Sequence, residues 1–493
     1  MKHSWFLLVC LIASFVVYKN NHLTQFGEDS FYSRLKQTHG EGPEFWLTRG
    51  DRKALLKREK FPQVHSATDL KSSPLMKITI RAESKYQSLD GFGFALTGGS
   101  AELINALPES AQDELLKELF TTDGNGIGVS YLRVSMGASD LSREVFTYHD
   151  TKDENLKDFS LSKDLDHLVP VLQKIIKLQP QIKILASPWT APSWMKTSKS
   201  SIAGKLEPKY ESLYAQYFLK YIKAMADKGI NIQAVTLQNE PLNPENNPSM
   251  LMQALDQANF VKNHLGPLFE KENIKTKIII WDHNCDLPDY PITVLKDDAA
   301  KAYIDGSAFH LYAGDVSCLS KVHQAFPSKN VYLTEQWVGG PSNFNGDLLW
   351  HIKNMVIGGP RNWSRTVIEW NLAATSQYLP HTPGGCKNCL GALSIDYDPV
   401  KKSSVPPAVL RNVAYYVIGH VSKFVSPGAF RVESESSQNE LSHVAFENKD
   451  GKIVFIVLNE KTEEKEFLVE FKKKVKKLVL PPQSVGTFIW KNW

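Results

Sequence analysis

The sequence predicts an α/β fold, a (β/α)8 barrel with an attached all-β sandwich, and three observations lead there. From residue 90 to about 420, short β-type runs alternate with longer amphipathic runs, the signature of repeated βα units around a parallel sheet. Eight such runs can be counted, at 91–96, 127–134, 182–187, 232–238, 276–281, 306–312, 330–335 and 366–371. Past residue 424 the helical period stops and short alternating runs replace it. Eight units suit a closed barrel better than an open doubly wound sheet, whose signature is missing: Gly91-Phe-Gly93 lacks the third glycine of a dinucleotide fingerprint.

The elements follow in order. Met1-Lys2-His3 precedes an apolar run, 5–17, whose 13 residues are too few to cross roughly 30 Å of hydrocarbon but suit a secretory signal. Residues 1–22 therefore read as an export signal. Tyr18-Lys19-Asn20-Asn21 offers no small-x-small cleavage site, so an uncleaved anchor is the alternative. Residues 23–89 begin polar and end near the alternating pattern 76–82, a strand. Helices are expected at 108–120, 162–178, 208–229, 249–270 and 346–357, with a further one at 406–421 after the eighth run. The barrel is thus placed at 90–423 and the β-sandwich at 424–493. Strands at 441–446, 453–458, 466–471, 475–480 and 484–490 are too few to close a sandwich, so 76–82 and part of the preceding segment are expected to join them. The run Lys472-Lys-Lys-Val-Lys-Lys477 reads either as an anionic-ligand surface or as a solvated edge that discourages strand addition.

Composition narrows the partner. The chain has 493 residues, 42% hydrophobic and 22% charged, the balance of a soluble globular protein. A formal charge of +4 is too small to suggest a nucleic-acid binder, and no specific protein partner can be inferred. Cys386-Lys-Asn-Cys389 lies in a loop-like stretch, which in an exported protein favours a local disulfide. With no His-Glu-x-x-His and no second Cys-x-x-Cys, no metal site is expected.

In a parallel barrel the reactive side chains gather where strands end and βα loops begin. The third run ends Ser187-Pro-Trp189-Thr-Ala-Pro-Ser-Trp194, the fourth Gln238-Asn239-Glu240-Pro241 and the fifth Trp281-Asp282-His283-Asn284. The sixth ends His310-Leu-Tyr312, the seventh Thr334-Glu335-Gln-Trp337 and the eighth Glu369-Trp370-Asn371. Aromatic faces beside carboxylates, amides and a histidine suit sugar recognition, since the C–H face of a pyranose stacks on an indole while polar edges meet its hydroxyls. Glycoside hydrolysis needs two carboxyl groups flanking the scissile bond. Glu240 and Glu335, closing runs four and seven, can face each other across a barrel mouth.

Together, Gly91-Phe-Gly93, Ser187-Pro-Trp189-Thr-x-Pro-x-Trp194, Asn239-Glu240-Pro241, His310-x-Tyr312, Thr334-Glu335, Trp370-Asn371-Leu372 and Gly419-His420-x-Ser-Lys-Phe424 resemble glycoside hydrolase family 30. The resemblance runs from about Asp90 to the C-terminus. It implies a retaining mechanism with Glu240 as acid/base and Glu335 as nucleophile, and sugar contacts from Asp140, Trp189, Asn239 and Trp370, with Tyr312 near the nucleophile. His310, Trp337 and Asn371 join this expected substrate-binding set from the strand-end inventory. On this reading Glu240 should have a raised pKa, through the charge of Glu335 and a partly dehydrated cleft. No cofactor is required. The expected substrate is a β-glucoside or β-glucan, either β-1,6-linked glucan or a glycolipid such as glucosylceramide. Leu311 stands where glucosylceramidases carry tryptophan, and the segments 242–249 and 384–391 look more like the bacterial branch that includes endo-β-1,6-glucanases. The rival class is a carbohydrate-binding protein on the same fold that has lost catalysis.

Overall fold

A computed structural model describes residues 42–61, 74–396 and 408–491. The expected export signal and Cys10 lie outside the described residues. Eight parallel strands close into a barrel in chain order: Gly91–Ala95, Tyr131–Ser135, Lys183–Ser187, Ala234–Thr236, Lys277–Asn284, Ile304–His310, Asn330–Glu335 and Ser364–Asn371, the last pairing with the first. Each expected run supplied one strand. The strands are buried on both faces, which is why they read as near-continuous apolar runs. Gly93 is required where the first two strands approach, since a Cβ there would lie 1.9 Å from the Tyr131 carbonyl oxygen.

The helices depart from the expected spans, with identifiable causes. The span 162–178 is two helices, Ser162–Leu165 and Leu168–Leu178, because Pro170 has no N–H to continue a helix from Asp166. The span 249–270 starts only at Ala254, where Gln253 and Asp256 form a reciprocal cap. It then widens to a π-turn at Val261–Leu265, and a second π-turn occurs at Ile352–Gly358. Each widened turn directly precedes a Gly-Pro pair, Gly266-Pro267 and Gly359-Pro360, where the proline ring would otherwise collide with a carbonyl one turn back. The helix expected over 406–421 is confined to Val413–Ser422. Its expected first turn is instead the strand Val409–Arg411, paired with Leu393–Ile395.

The all-β part is one nine-stranded ladder, in the order Lys57–Glu59, Glu44–Arg49, Ser484–Trp490, Ile453–Asn459, Ser442–Glu447, Phe430–Ser436, Lys77–Ser88, Lys465–Phe471, Lys474–Leu480. Strands from both ends of the chain interleave, as expected. The strand Phe430–Ser436 was not anticipated. The ladder folds over its own core: Phe471 and Trp490, five places apart in strand order, have ring centroids 5.9 Å apart. Lys474–Leu480 ends the ladder, so the lysine run lies at a sheet edge, where Lys477 pairs with Glu466 at 2.7 Å.

The sheet's other face joins the barrel core through Phe446, Ile456 and Val485, with Phe446 edge-on to Phe92 of the first barrel strand at 6.4 Å, and the helix Val413–Ser422 belongs to the same core. His420 in that helix is wholly buried and meets Thr487 Oγ1 at 2.9 Å and Thr48 Oγ1 at 2.8 Å. Burial lowers its pKa to about 3, so it is neutral.

Candidate active site

The alternation of a strand builds the site in layers. Tyr131, Leu185, Ala234, Ile279, Ala308, Tyr332 and Ile368 form an apolar plug inside the barrel. Two residues further along their strands, on the same inward face, stand Arg133, Ser187, Thr236, His310, Thr334 and Trp370. The fifth strand breaks register between Trp281 and His283, and Asp282 takes the inward place with φ of 66°. Asp282 gathers this second layer. Its Oδ2 accepts from Arg133 at 2.8 Å, Thr236 at 2.8 Å and Ser187 at 3.1 Å, and its Oδ1 from Thr334 at 2.8 Å. His310 Nε2 lies 3.1 Å from Oδ1.

Glu335 and Glu240 sit directly above. Arg133 donates to Glu335 Oε2 and, at 2.7 Å, to Asn239 Oδ1, while Tyr312 donates to Glu335 Oε1 at 2.8 Å. His310 Nδ1 lies 3.4 Å from Glu240 Oε1 and 3.6 Å from Glu335 Oε1. Asn243 donates to Glu240 Oε2 at 2.8 Å. One oxygen of Glu240, one of Glu335 and a His310 nitrogen all lie within 4.8 Å of one another. Such a trio could grip a small cation, but a protonated imidazole supplies positive charge at the same place. Glu240 adopts φ of 46°, a left-handed conformation that turns the chain into the loop at Pro241.

The charges are coupled. Burial opposes ionisation of Asp282, but Arg133 and His310 outweigh it and hold the carboxylate well below its usual range. Burial likewise opposes a charge on His310, yet Glu335, Asp282 and Glu240 raise its pKa to about 9. Burial and the charge of Glu240 push Glu335 upward, partly offset by His310 and Arg133. For Glu240 the expectation of a raised pKa is overturned. Burial pushes it up, but the hydrogen bond and charge of His310, with help from His283 and Asn243, bring it down to about 2. The imidazolium beside Glu240 outweighs the carboxylate opposite.

Of the five strand-end tryptophans, three meet at the site. Trp189 and Trp370 stack with centroids 5.5 Å apart, the Arg133 guanidinium lies 4.8 Å from the Trp189 ring, and half-buried Trp337 packs against them. The Trp189 indole N–H is buried without a protein hydrogen-bond acceptor, a donor suited to a hydroxyl. Trp194 and Trp281 are used otherwise, packing on Tyr210 and Tyr290. Asp140 is buried nearby, and burial together with the charges of Glu335 and Glu240 raises its pKa to about 7. Cys386 and Cys389 form a disulfide within the tryptophan cluster, and Cys285 pairs with Cys318, a bond the sequence reading did not anticipate. Asn371 was expected to touch sugar. Its Oδ1 accepts from Ser100 at 2.9 Å, tying it to the helix Gly98–Ala106.

Sequence reasoning missed Arg133, the cation that ties together Asp282, Glu335 and Asn239. Its signal was present: one arginine inside the apolar strand Tyr131–Ser135, which on a strand buried on both faces must meet a counter-charge. Asp282 was noted only as a strand end, because the register break that turns it inward leaves no mark in the sequence.

Residues 89–425 match the glycosyl hydrolase family 30 TIM-barrel domain, and residues 428–488 match that family's β-sandwich domain. An endo-1,6-β-D-glucanase of Neurospora crassa is 33% identical over 411 residues, covering 79% of this chain and 82% of its own. The lysosomal acid glucosylceramidase of Mus musculus is 28% identical over 458 residues, covering 84% of this chain and 83% of its own. Among solved structures, an endo-β1,6-glucanase superposes with a TM-score of 0.82 at 33% identity, covering 91% of this chain and 99% of that one.

Proposed function

Because the chain belongs to glycoside hydrolase family 30 and is a retaining glycosidase, we propose that it hydrolyses β-1,6-linked glucan with Glu335 as nucleophile and Glu240 as acid/base. The observation that carries these roles is the approach of the two carboxyl groups, with one oxygen of each within 4.8 Å of the other. Retention needs carboxyl groups about 5–5.5 Å apart, whereas inversion needs about 6.5–9.5 Å to admit a water. The β-1,6-glucan assignment is supported by endo-β-1,6-glucanases similar in sequence and in fold.

Each residue has a task in this reaction. Arg133 fixes Glu335 Oε2, so Oε1 faces the cleft and bonds to the anomeric carbon as Tyr312 releases it. Burial and the neighbouring carboxylates keep the Tyr312 hydroxyl protonated, so it remains a donor. The proton that Glu240 gives to the departing oxygen is held at rest on His310, 3.4 Å from Oε1. Passing it across that contact makes a neutral acid without drawing on solvent. In the second half, Glu240 takes a proton from water, the hydroxide bonds to the anomeric carbon, and Glu335 departs. Asn239, its Oδ1 occupied by Arg133, offers its amide N–H to the sugar 2-hydroxyl, and the Trp189 N–H serves another hydroxyl.

Export belongs to the same proposal, supported by the apolar run 5–17 and by two disulfides, which persist in oxidising compartments. Sequencing the N-terminus of secreted enzyme separates a cleaved signal from an anchor. The substrate is tested by incubating the enzyme with β-1,6-glucan, gentio-oligosaccharides and glucosylceramide, with NMR of the first-formed anomer. Release of β-configured oligosaccharides from the glucan is expected. Faster release of glucose from glucosylceramide would move the substrate to a glycolipid, and a first-formed α-anomer would overturn the mechanism.

A further inference from the structure

The segment that follows the eighth barrel strand reaches across the site mouth with little regular structure of its own, yet it is tied to three other loops. Thr382 N donates to the Asp140 carbonyl at 2.8 Å, and Cys386 N donates to the Asp140 carboxylate at 3.4 Å. Thr382 Oγ1 donates to the Asn247 carbonyl at 2.5 Å, and the Asn247 amide donates to the Pro383 carbonyl at 2.8 Å. Cys389–Leu390 pairs antiparallel with Val338–Gly339, three residues beyond Glu335, and Gly340 N donates to the Asn388 carbonyl at 2.8 Å. The Cys386–Cys389 bond spans the first and third of these ties, and both cysteines pack in the cluster of Trp189, Trp337 and Trp370. At Gly385, next to the first cysteine, a Cβ would lie 2.4 Å from the Asp140 carbonyl oxygen, so the loop backbone presses directly on that residue.

A disulfide between residues only 3 apart in sequence constrains the unfolded chain less than Cys285–Cys318, whose residues are 33 apart. Its effect is local. We propose that the Cys386–Cys389 disulfide is a positioning element for sugar binding, holding the loop so that the Asp140 carboxyl and the Trp337 indole keep the places from which they meet the substrate. The inference rests on the glycosidase reading above. Glu240 and Glu335 are held by Arg133, His310, Tyr312 and Asn243, not by this loop, so binding and chemistry should separate.

The test is a kinetic comparison of full-length wild type with the double variant C386S/C389S, on a gentio-oligosaccharide and an aryl β-glucoside. KM is expected to rise roughly threefold to tenfold, the effect of losing one or two sugar hydrogen bonds, while kcat stays within about twofold and the melting temperature holds. Mild reduction of folded wild type, with thiols mapped by alkylation and mass spectrometry, should give the same KM, and reoxidation should restore it. C285S/C318S under the same reductant assigns the effect to the correct pair, and the reduced wild type decides the matter if the double variant does not fold. An unchanged KM in folded, reduced enzyme overturns the inference, as does a parallel loss of kcat and melting temperature, which would mark a merely structural bond. Wild type inactive on every glucoside would instead remove the glycosidase reading.

Discussion

Asp282→Asn keeps the shape of the residue that gathers the second layer and removes its charge. An amide has one acceptor oxygen where the carboxylate has two. Its NH2 cannot face Arg133, so it turns toward the Oδ1 side, where His310 Nε2 stands at 3.1 Å. The imidazole must then present a lone pair at Nε2 and cannot remain an imidazolium. Its pKa falls from about 9, since burial now acts with one carboxylate fewer to oppose it, and Glu240 loses the charge that holds it at about 2. Breaking a buried pair from one side costs about 3–5 kcal/mol, and the lower end applies because Glu335 still engages Arg133. With an unfolding entropy of roughly 1 kcal/mol/K for a chain of this size, the melting temperature should drop by about 3 °C.

The pH dependence of that loss has a definite sign. His310 is raised above its ordinary 6.5, so its contribution to stability is complete below that pH and disappears as pH climbs through 9. Wild type and D282N should therefore differ most between about pH 5 and 6.5, and the difference should narrow toward pH 9 to what the Arg133 pair alone contributes. In catalysis, the proton shared by His310 and Glu240 is lost earlier, moving the alkaline limb of kcat/KM down by about 1–2 pH units. Scanning fluorimetry across pH and a pH–rate profile on an aryl β-glucoside measure both effects. An alkaline limb and melting curve superposing on wild type would refute the claim that Asp282 charges this site.

Glu335→Gln should lower kcat by a factor on the order of 10⁴ or more on every glucoside. Glu240→Gln should instead lose about 10²–10⁴ on natural substrate while keeping a stopped-flow burst of phenol from activated aryl glucosides, whose departure needs no acid. Loss of the burst would remove Glu240 from the acid role. Asp140, raised to about 7, favours the folded state while protonated and opposes it once ionised, so the melting temperature of D140N relative to wild type should increase from pH 5 to pH 8. A difference independent of pH would show that Asp140 does not titrate there. His420→Ala takes one hydrogen-bond partner each from Thr48 and Thr487 at the packing of the sheet on the barrel and should cost about 2–4 kcal/mol in denaturant unfolding, with kcat unchanged in the folded enzyme.

Much of the architecture was legible because it depends on local periodicity. Eight apolar runs became eight barrel strands because burial on both faces leaves no other composition for them. The helix ends were less legible. A Gly-Pro pair inside a good helical pattern is absorbed by widening one turn, and Val409–Arg411 forms a strand only because Leu393–Ile395 is there to pair with it.

The sequence alone determined the fold class and singled out Glu240 and Glu335 by their places at the ends of two barrel strands, whereas Glu369, at the end of the eighth, turns away to His351 at 2.8 Å. It also carried the aromatic inventory, but not which three of five tryptophans would meet there. Only the tertiary structure decided the ionisation of the site. The pKa of Glu240 depends on distances to His310 and Glu335, those depend on Asp282 and Arg133, and Asp282 faces inward through a register break between neighbouring strands. Charge interactions fall with distance through space, not along the chain, so residues hundreds of positions apart set a value that no local pattern encodes.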